Sequence, residues 1–254
     1  MSDILEVSQH GRVLRLALNR PDRRNALGAE LCRELLEAIN RANRDLHTGA
    51  IVITGNGGSF CAGMDLKELG SVPIETLTNL HQQLFTLNMR LNTPLIAAVE
   101  GVAMGGGMGL VANCHIAVAS EQAKFGLTEI KIGLWPLFVY RAVEIAVTER
   151  RTVELALTGR TFGAEEAREM GLIHEIASDC GQRAMQIADA ISRSSPSAIR
   201  AGLDFVQEVR GKEWETAGLI ARRVREERFE TPDFQEGLRA FREKREAKWP
   251  SIEE

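Results

Sequence analysis

Two short stretches hold the residue types best suited to chemistry, Ser59-Phe60-Cys61-Ala62-Gly63-Met64-Asp65-Leu66 and Glu100-Gly101-Val102-Ala103-Met104-Gly105-Gly106-Gly107. Each follows an apolar run, residues 50–54 and 94–99, and each reads as a β-strand passing through a turn into a helix. Small or absent side chains let a ligand approach the main chain closely there. The unpaired N–H groups of a helix start, with the positive end of the helix dipole, favour negative charge. Two such sites facing one point make an oxyanion hole, which stabilises charge developing on a carbonyl oxygen.

Other chemistries are poorly supported. His10, His47, His81, His115 and His174 show no H-x-x-x-H or similar spacing, so no metal site is expected. Cys32, Cys61, Cys114 and Cys180 lie far apart without a C-x-x-C pair and read as reduced thiols. The segment Gly57-Gly58-Ser59-Phe60-Cys61 lacks the second glycine of a G-x-S-x-G nucleophile turn. The run from Gly105 has Leu110 at the final glycine position of a dinucleotide fingerprint. In residues 221–228 acidic and basic side chains interleave at helical spacings, which favours a salt-bridged, solvated face over an RNA-binding stripe.

The elements that must position the two stretches alternate. A hairpin is expected between residues 5–7 and 13–18, with His10-Gly11 at its turn, then an amphipathic helix over 28–46 carrying Leu31, Leu35, Ile39 and Ala42. Strands at 51–54, 95–99 and 115–119 enclose a helix over 77–91 and a short one from the glycine run to Asn113. This pattern gives an α/β core with right-handed crossovers. From Val139 onward the pattern is almost wholly helical, broken at Gly159, Gly163, Gly171, Pro196, Gly211 and Pro232. A boundary is placed at Ser195-Pro196, a good helix start, dividing a core of residues 1–195 from a helical region of 196–254 that packs on the core or on a neighbouring subunit.

The chain of 254 residues, 44% hydrophobic, is long enough for one sizeable domain with a helical appendage. Its net charge of −4 gives no global reason to bind nucleic acid or an anionic membrane. Residues 1–6 lack the basic and apolar regions of a signal peptide, and no apolar run reaches the ~18 residues of a membrane span. A soluble, cytoplasmic protein is expected.

Several motifs in register resemble the crotonase superfamily, the enoyl-CoA hydratase/isomerase family. They are Asn19-Arg20-Pro21 through Asn25-Ala26-Leu27, Phe60 to Leu66, Gly105-Gly106-Gly107, Phe125-Gly126-Leu127-Thr128-Glu129-Ile130, Leu157-Thr158-Gly159 with Ala164, Ala167 and Gly171-Leu172, and finally Gly237 with residues 241–245. The resemblance implies a spiral of β-β-α units with a C-terminal helical region, a homotrimer or homohexamer, and an acyl-CoA thioester as substrate. No cofactor is implied, since coenzyme A is part of the substrate.

The family's oxyanion donors fall on the N–H groups of Met64 and Gly106, in agreement with the reading of the bare residues. Its acid/base glutamate falls on Glu129. The resemblance places coenzyme A near Arg23, Arg24, Ala62, Asp65, Leu66 and Lys67, with Lys244 reaching a neighbouring subunit's substrate. Two departures matter. Gly109 stands where family hydratases carry their first glutamate, and Gly133-Leu134-Trp135-Pro136-Leu137-Phe138 replaces a glycine-rich loop and would reshape the acyl pocket.

A single base suffices to move a double bond, taking a proton from C2 and returning it at C4, so the loss leans toward isomerisation over hydration. Asp65 and Glu100 are the other carboxylates near by in sequence. The alternative to an enzyme is an acyl-CoA-binding protein that kept the fold and lost catalysis.

Overall fold

A computed structural model describes residues 4–252; the start of the chain, Met1 to Asp3, used above in reading the N-terminus, lies outside the described residues. Strands β1 (Leu5–His10) and β2 (Val13–Leu18) form the antiparallel hairpin, and helix α1 (Ala29–Arg44) leads to β3 (Ala50–Gly55). Helix α2 (Ile74–Phe85) precedes β4 (Leu95–Val99), β5 (Val102–Met104) and α3 (Gly106–Asn113). Then come β6 (Ile116–Ala119), β7 (Lys124–Gly126), α4 (Leu137–Val147), α5 (Glu149–Thr158), β8 (Thr161–Gly163), α6 (Ala164–Glu169) and β9 (Glu175–Ile176). Helices α7 (Cys180–Ser192), α8 (Pro196–Val209), α9 (Trp214–Phe229) and α10 (Pro232–Glu243) follow.

The strands form two sheets. One has the order β1-β2-β3-β4-β6-β9, parallel except for the first pair, and the other the order β5-β7-β8. Strands β4 and β6 of the large sheet are each followed by one of the small sheet, β5 and β7, whereas at the end β8 of the small sheet precedes β9 of the large one. The first stretch reaches the small sheet only through a parallel bridge between Cys61 and Ala103. An α/β core followed by a C-terminal helical region is the arrangement that the resemblance implied.

Period-two alternation fills both faces of the large sheet. Ala50, Val52, Ile96, Ala98 and Val118 pack on Ala184 and Ala188 of α7, while Ile51, Ile53, Leu95, Ala97 and Val99 face the main core with Leu31, Leu35 and Ile39 of α1.

Four expectations are corrected. The region after Val139 is not wholly helical, because β8 and β9 complete the sheets as strands of three and two residues. The helix expected over 77–91 starts at Ile74 and ends at Phe85, with a separate 3-10 turn at Leu87–Met89. Val102–Met104, read as part of a turn, is a strand. Finally, the first stretch runs not into a helix but into one 3-10 turn, Leu66–Glu68, so the helix-dipole argument applies to the glycine run alone.

Ser195 caps α8, its side chain accepting from Ala198 N–H. Its hydroxyl also donates to Asp233 of α10, a buried carboxylate that accepts from Ser197 Oγ (3.0 Å), Ser251 N–H (3.0 Å) and Ser251 Oγ (2.7 Å). Burial acts to raise the pKa of Asp233, but these hydrogen bonds prevail and hold it below the usual carboxylate value. Replacing it by Ala orphans those donors, a loss of about 1–3 kcal/mol. We expect Asp233→Ala to lower Tm by roughly 5 °C at neutral pH, checked by thermal melting. A depressed pKa contributes fully above the unfolded value of about 4, so the gap between parent and variant should close as the pH falls through the folded value.

Candidate active site

The two stretches meet. Cys61 N–H donates to Val102 O (2.9 Å) and Met104 N–H to Cys61 O (3.0 Å), zipping the first loop alongside β5. Beyond this zipper Gly63 lies so close to the glycine run that a Cβ on it would sit 2.8 Å from Met104 O and 3.3 Å from Gly106 N. On the other side Leu27 N–H donates to Gly63 O (2.7 Å) and Asp65 N–H to Leu27 O (3.2 Å). These backbone bonds use the groups on either side of Met64 N–H but leave that N–H itself without a backbone acceptor among the described residues. Gly106 opens α3, so its N–H has no partner within the helix. The turn before it depends on Gly105, whose φ of 51° with ψ of −115° is open only to glycine.

Met64 and Gly106 both line a cavity of about 360 Å³. Its walls are mostly apolar, with Leu27, Leu77, Phe85, Leu134, Trp135 and Phe138 among them, so residues 134–138 of the expected segment do shape this pocket. The side chains there with hydrogen-bonding atoms include Glu129, His81 and Thr78.

Glu129 begins a 3-10 turn over Glu129–Ile132 that ends at Gly133 in the left-handed conformation, with Leu134 N–H donating back to Glu129 O (3.0 Å). Its carboxylate lies over the glycine run, where a Cβ on Gly105 would be 3.0 Å from Oε1. Oε2 is buried with no hydrogen-bond partner. Burial pushes the Glu129 pKa up against the smaller opposing effect of its own N–H.

Gly109 has a steric explanation. A Cβ there would lie 2.2 Å from Val139 Cγ1 and 3.2 Å from Phe85 Cε1, because α4 packs directly on α3. The space that a first glutamate would fill is held by a valine.

The other sequence-derived residues fall in three places. Asp65 is buried and committed to structure: it accepts from Arg20 Nη2 (2.8 Å) and caps the 3-10 turn through Lys67 N–H. Beside it Glu68 accepts from Ala29 N–H at the start of α1 (2.7 Å). Ala62 N–H donates to Arg24 O (2.9 Å), joining the first loop to the turn that carries Arg23 and Arg24; Arg24, Leu66 and Lys67 are exposed, and Arg23 and Ala62 partly so. Lys244 is the exposed left-handed cap of α10 and does not line the cavity. Glu100 is exposed beside Cys180 of α7 and does not line it either. Cys61 is fully buried, its thiol pushed up to about 12, which leaves it inert as a nucleophile.

Sequence reasoning passed over His81. It occupies the buried stripe of α2 between Leu77 and Leu84, where a polar residue among apolar ones was the available signal. Burial lowers its pKa, opposed by a hydrogen bond with the Leu27 backbone and by the charge of Glu68.

Two outcomes follow from this geometry. Gly109→Ala should destabilise by about 1–3 kcal/mol through overpacking, and Val139→Ala in the same chain should recover part of the loss. Additive effects on Tm in that double-mutant cycle would contradict the steric account. A raised carboxyl pKa burdens folding only above the unfolded value of about 4. Glu129→Gln should therefore leave Tm unchanged at low pH and raise it by a few degrees as the pH passes the folded value, as melts across a pH series would read.

Comparison with known proteins gives the family and the fold. The family model for enoyl-CoA hydratase/isomerase matches residues 8–251. Enoyl-CoA hydratase EchA19 of Mycobacterium tuberculosis is 37% identical over 94% of this chain and 93% of its own. The 2,3-dehydroadipyl-CoA hydratase of Escherichia coli is 34% identical over 96% of this chain and 97% of its own. Among solved structures, an enoyl-CoA hydratase of Mycobacterium smegmatis superposes with a TM-score of 0.92 at 29% identity, covering 98% of this chain and 99% of that one.

Proposed function

The chain belongs to the enoyl-CoA hydratase/isomerase family, acyl-CoA enzymes, and from that premise we propose that it forms an enolate at C2 of an enoyl-CoA with Glu129 as the acid/base. In this reading the thioester oxygen sits between the N–H groups of Met64 and Gly106. Each such donor contributes about 3–4 kcal/mol to stabilising the developing charge. Double-bond migration is the reaction that one carboxylate performs alone: Glu129 takes a proton from C2 of a 3-enoyl-CoA and returns it at C4, giving the 2-enoyl-CoA. The observation that carries this is a single carboxylate in a mostly apolar cavity, with the place of a second filled by Val139.

Hydration is the second reading. It is favoured by the names of the relatives and by His81, whose Nε2 is buried without a partner in the same cavity.

We assign coenzyme A to the outer edge of the first loop. Arg23, Arg24 and Lys67 serve its phosphates, Ala62 and Leu66 line its path, and Asp65 acts by holding that loop in shape. Lys244 serves a neighbouring subunit. The exposed Trp214, Leu219 and Phe241 of α9 and α10 support a homotrimer or homohexamer built through the helical region 196–254. No helix among the described residues is long and apolar enough to cross a membrane. We infer a cytoplasmic enzyme, a reading supported by the free Cys32, Cys61, Cys114 and Cys180, and, from the family, no cofactor beyond the coenzyme A of its substrate.

Assays of 3-to-2 double-bond migration and of 2-enoyl-CoA hydration on the parent and Glu129→Gln test the assignment. Migration should fall by about 10²–10⁴ in the variant. Equal rates in parent and variant would remove Glu129 from the chemistry. Tight binding of CoA thioesters with no turnover by the parent would mark a binding protein instead.

A further inference from the structure

His81 is 6% exposed and lines the cavity that Glu129 lines. Its ring is caged by Phe85 (5.8 Å between centroids) and Phe138 (6.5 Å). Nε2 has no hydrogen-bond partner; with the Leu27 backbone beside the ring, the proton of the neutral ring is assigned to Nδ1. A neutral imidazole that donates from Nδ1 presents a bare lone pair at Nε2. Buried acceptors are nearly always satisfied in folded proteins, and one left open in a cavity invites a donor from outside the chain.

Its position relative to Gly109 gives that donor a role. Phe85 stands one helical turn beyond His81 on α2, and Phe85 is also the ring that a Cβ on Gly109 would approach. His81 and position 109 therefore flank the same side chain, and that side chain lines the cavity with Glu129.

We propose that His81 Nε2 is the acceptor that binds and deprotonates the attacking water when this protein hydrates a 2-enoyl-CoA, the work left open by Gly109. The proposal rests on the reading that Glu129 serves C2. The water oxygen bonds to C3, the C2=C3 electron pair moves through C1 onto the thioester oxygen, and the water proton passes to Nε2. Glu129, entering the step as the carboxylic acid, gives its proton to C2 as the enolate collapses. The product is the 3-hydroxyacyl-CoA. Imidazolium and carboxylate remain, and a proton moved from one to the other through solvent restores the starting state. Migration uses Glu129 alone and does not involve His81.

The charged group bearing on His81 is Glu68, which raises its basicity; Glu129 lines the same cavity, and Leu27, Phe85 and Phe138 add no charge. The working form is the neutral ring, so hydration declines as the pH falls through a His81 pKa that burial sets below the ordinary ~6.5.

The test measures hydration and migration in parallel, as functions of pH, for the parent, His81→Gln, His81→Phe and Glu129→Gln. His81→Phe, which fills the space without an acceptor, should lose about 10²-fold or more in hydration and change migration by less than about threefold. His81→Gln, which keeps a carbonyl acceptor, should retain part of the hydration and lose the acidic limb of its pH profile. The proposal is overturned if the parent hydrates no 2-enoyl-CoA, if His81→Phe lowers both reactions alike, or if the acidic limb persists in His81→Gln. Retained migration and melting temperature in the His81 variants establish folding. If Glu129→Gln leaves migration intact, the Glu129 reading fails by itself; if it abolishes migration while His81→Phe hydrates normally, only the histidine assignment fails.

Discussion

The zipper between Cys61 and the strand Val102–Met104 is the interaction on which the site depends. Two backbone hydrogen bonds fix the first loop against the second, and they bring Gly63 and Gly106 into near contact. From that contact the rest follows. Met64 and Gly106 border one cavity, α3 starts where Gly105 allows it, and Glu129 lies over the glycine run. The far side of the first loop is held as firmly, by Leu27 through the main chain and by Arg20 through Asp65. Almost no side chain fits at 63, 105 or 106 without displacing backbone or a neighbouring side chain.

Inside this frame the protein holds polar atoms that its own fold leaves unsatisfied. Glu129 Oε2 and His81 Nε2 are both buried without partners, and burial moves each group toward its neutral form. By contrast Asp65 and Glu68, a few residues from the cavity, are fully engaged with Arg20 and with the start of α1. The contrast separates carboxylates that hold the loop from one that the fold leaves with an unpartnered oxygen. Stability is given up at the second kind of position and recovered at the first.

How much of this the sequence discloses varies by element. The hairpin, α1 and the long strands of the large sheet are legible because Leu31, Leu35 and Ile39, or Ile51 and Ile53, repeat with the period of their element. The strands Val102–Met104, Lys124–Gly126, Thr161–Gly163 and Glu175–Ile176 are too short for any period to show; pairing across the small sheet and at the edge of the large one makes them strands. Gly109 is visible as a missing carboxylate, whereas its cause, Val139 from a helix some thirty residues on, is a packing fact that no local pattern contains. His81 is hidden for a different reason. Read alone it is one histidine without a metal-binding neighbour, and only the surrounding stripe of Leu77, Leu84 and Phe85 marks it as a polar residue placed inward.

The valine that fills the space beside Gly109 also has a meaning for descent. Positions 109 and 139 are locked as a knob in a hole, so neither can change freely while the other stays as it is. A carboxylate cannot enter at 109 in one step without forcing the two helices apart, and a small residue at 139 opens a void until 109 is filled. The order of substitution is therefore constrained. Chains that change one of the two positions alone are less stable than this one, and packing by itself opposes a carboxylate at position 109.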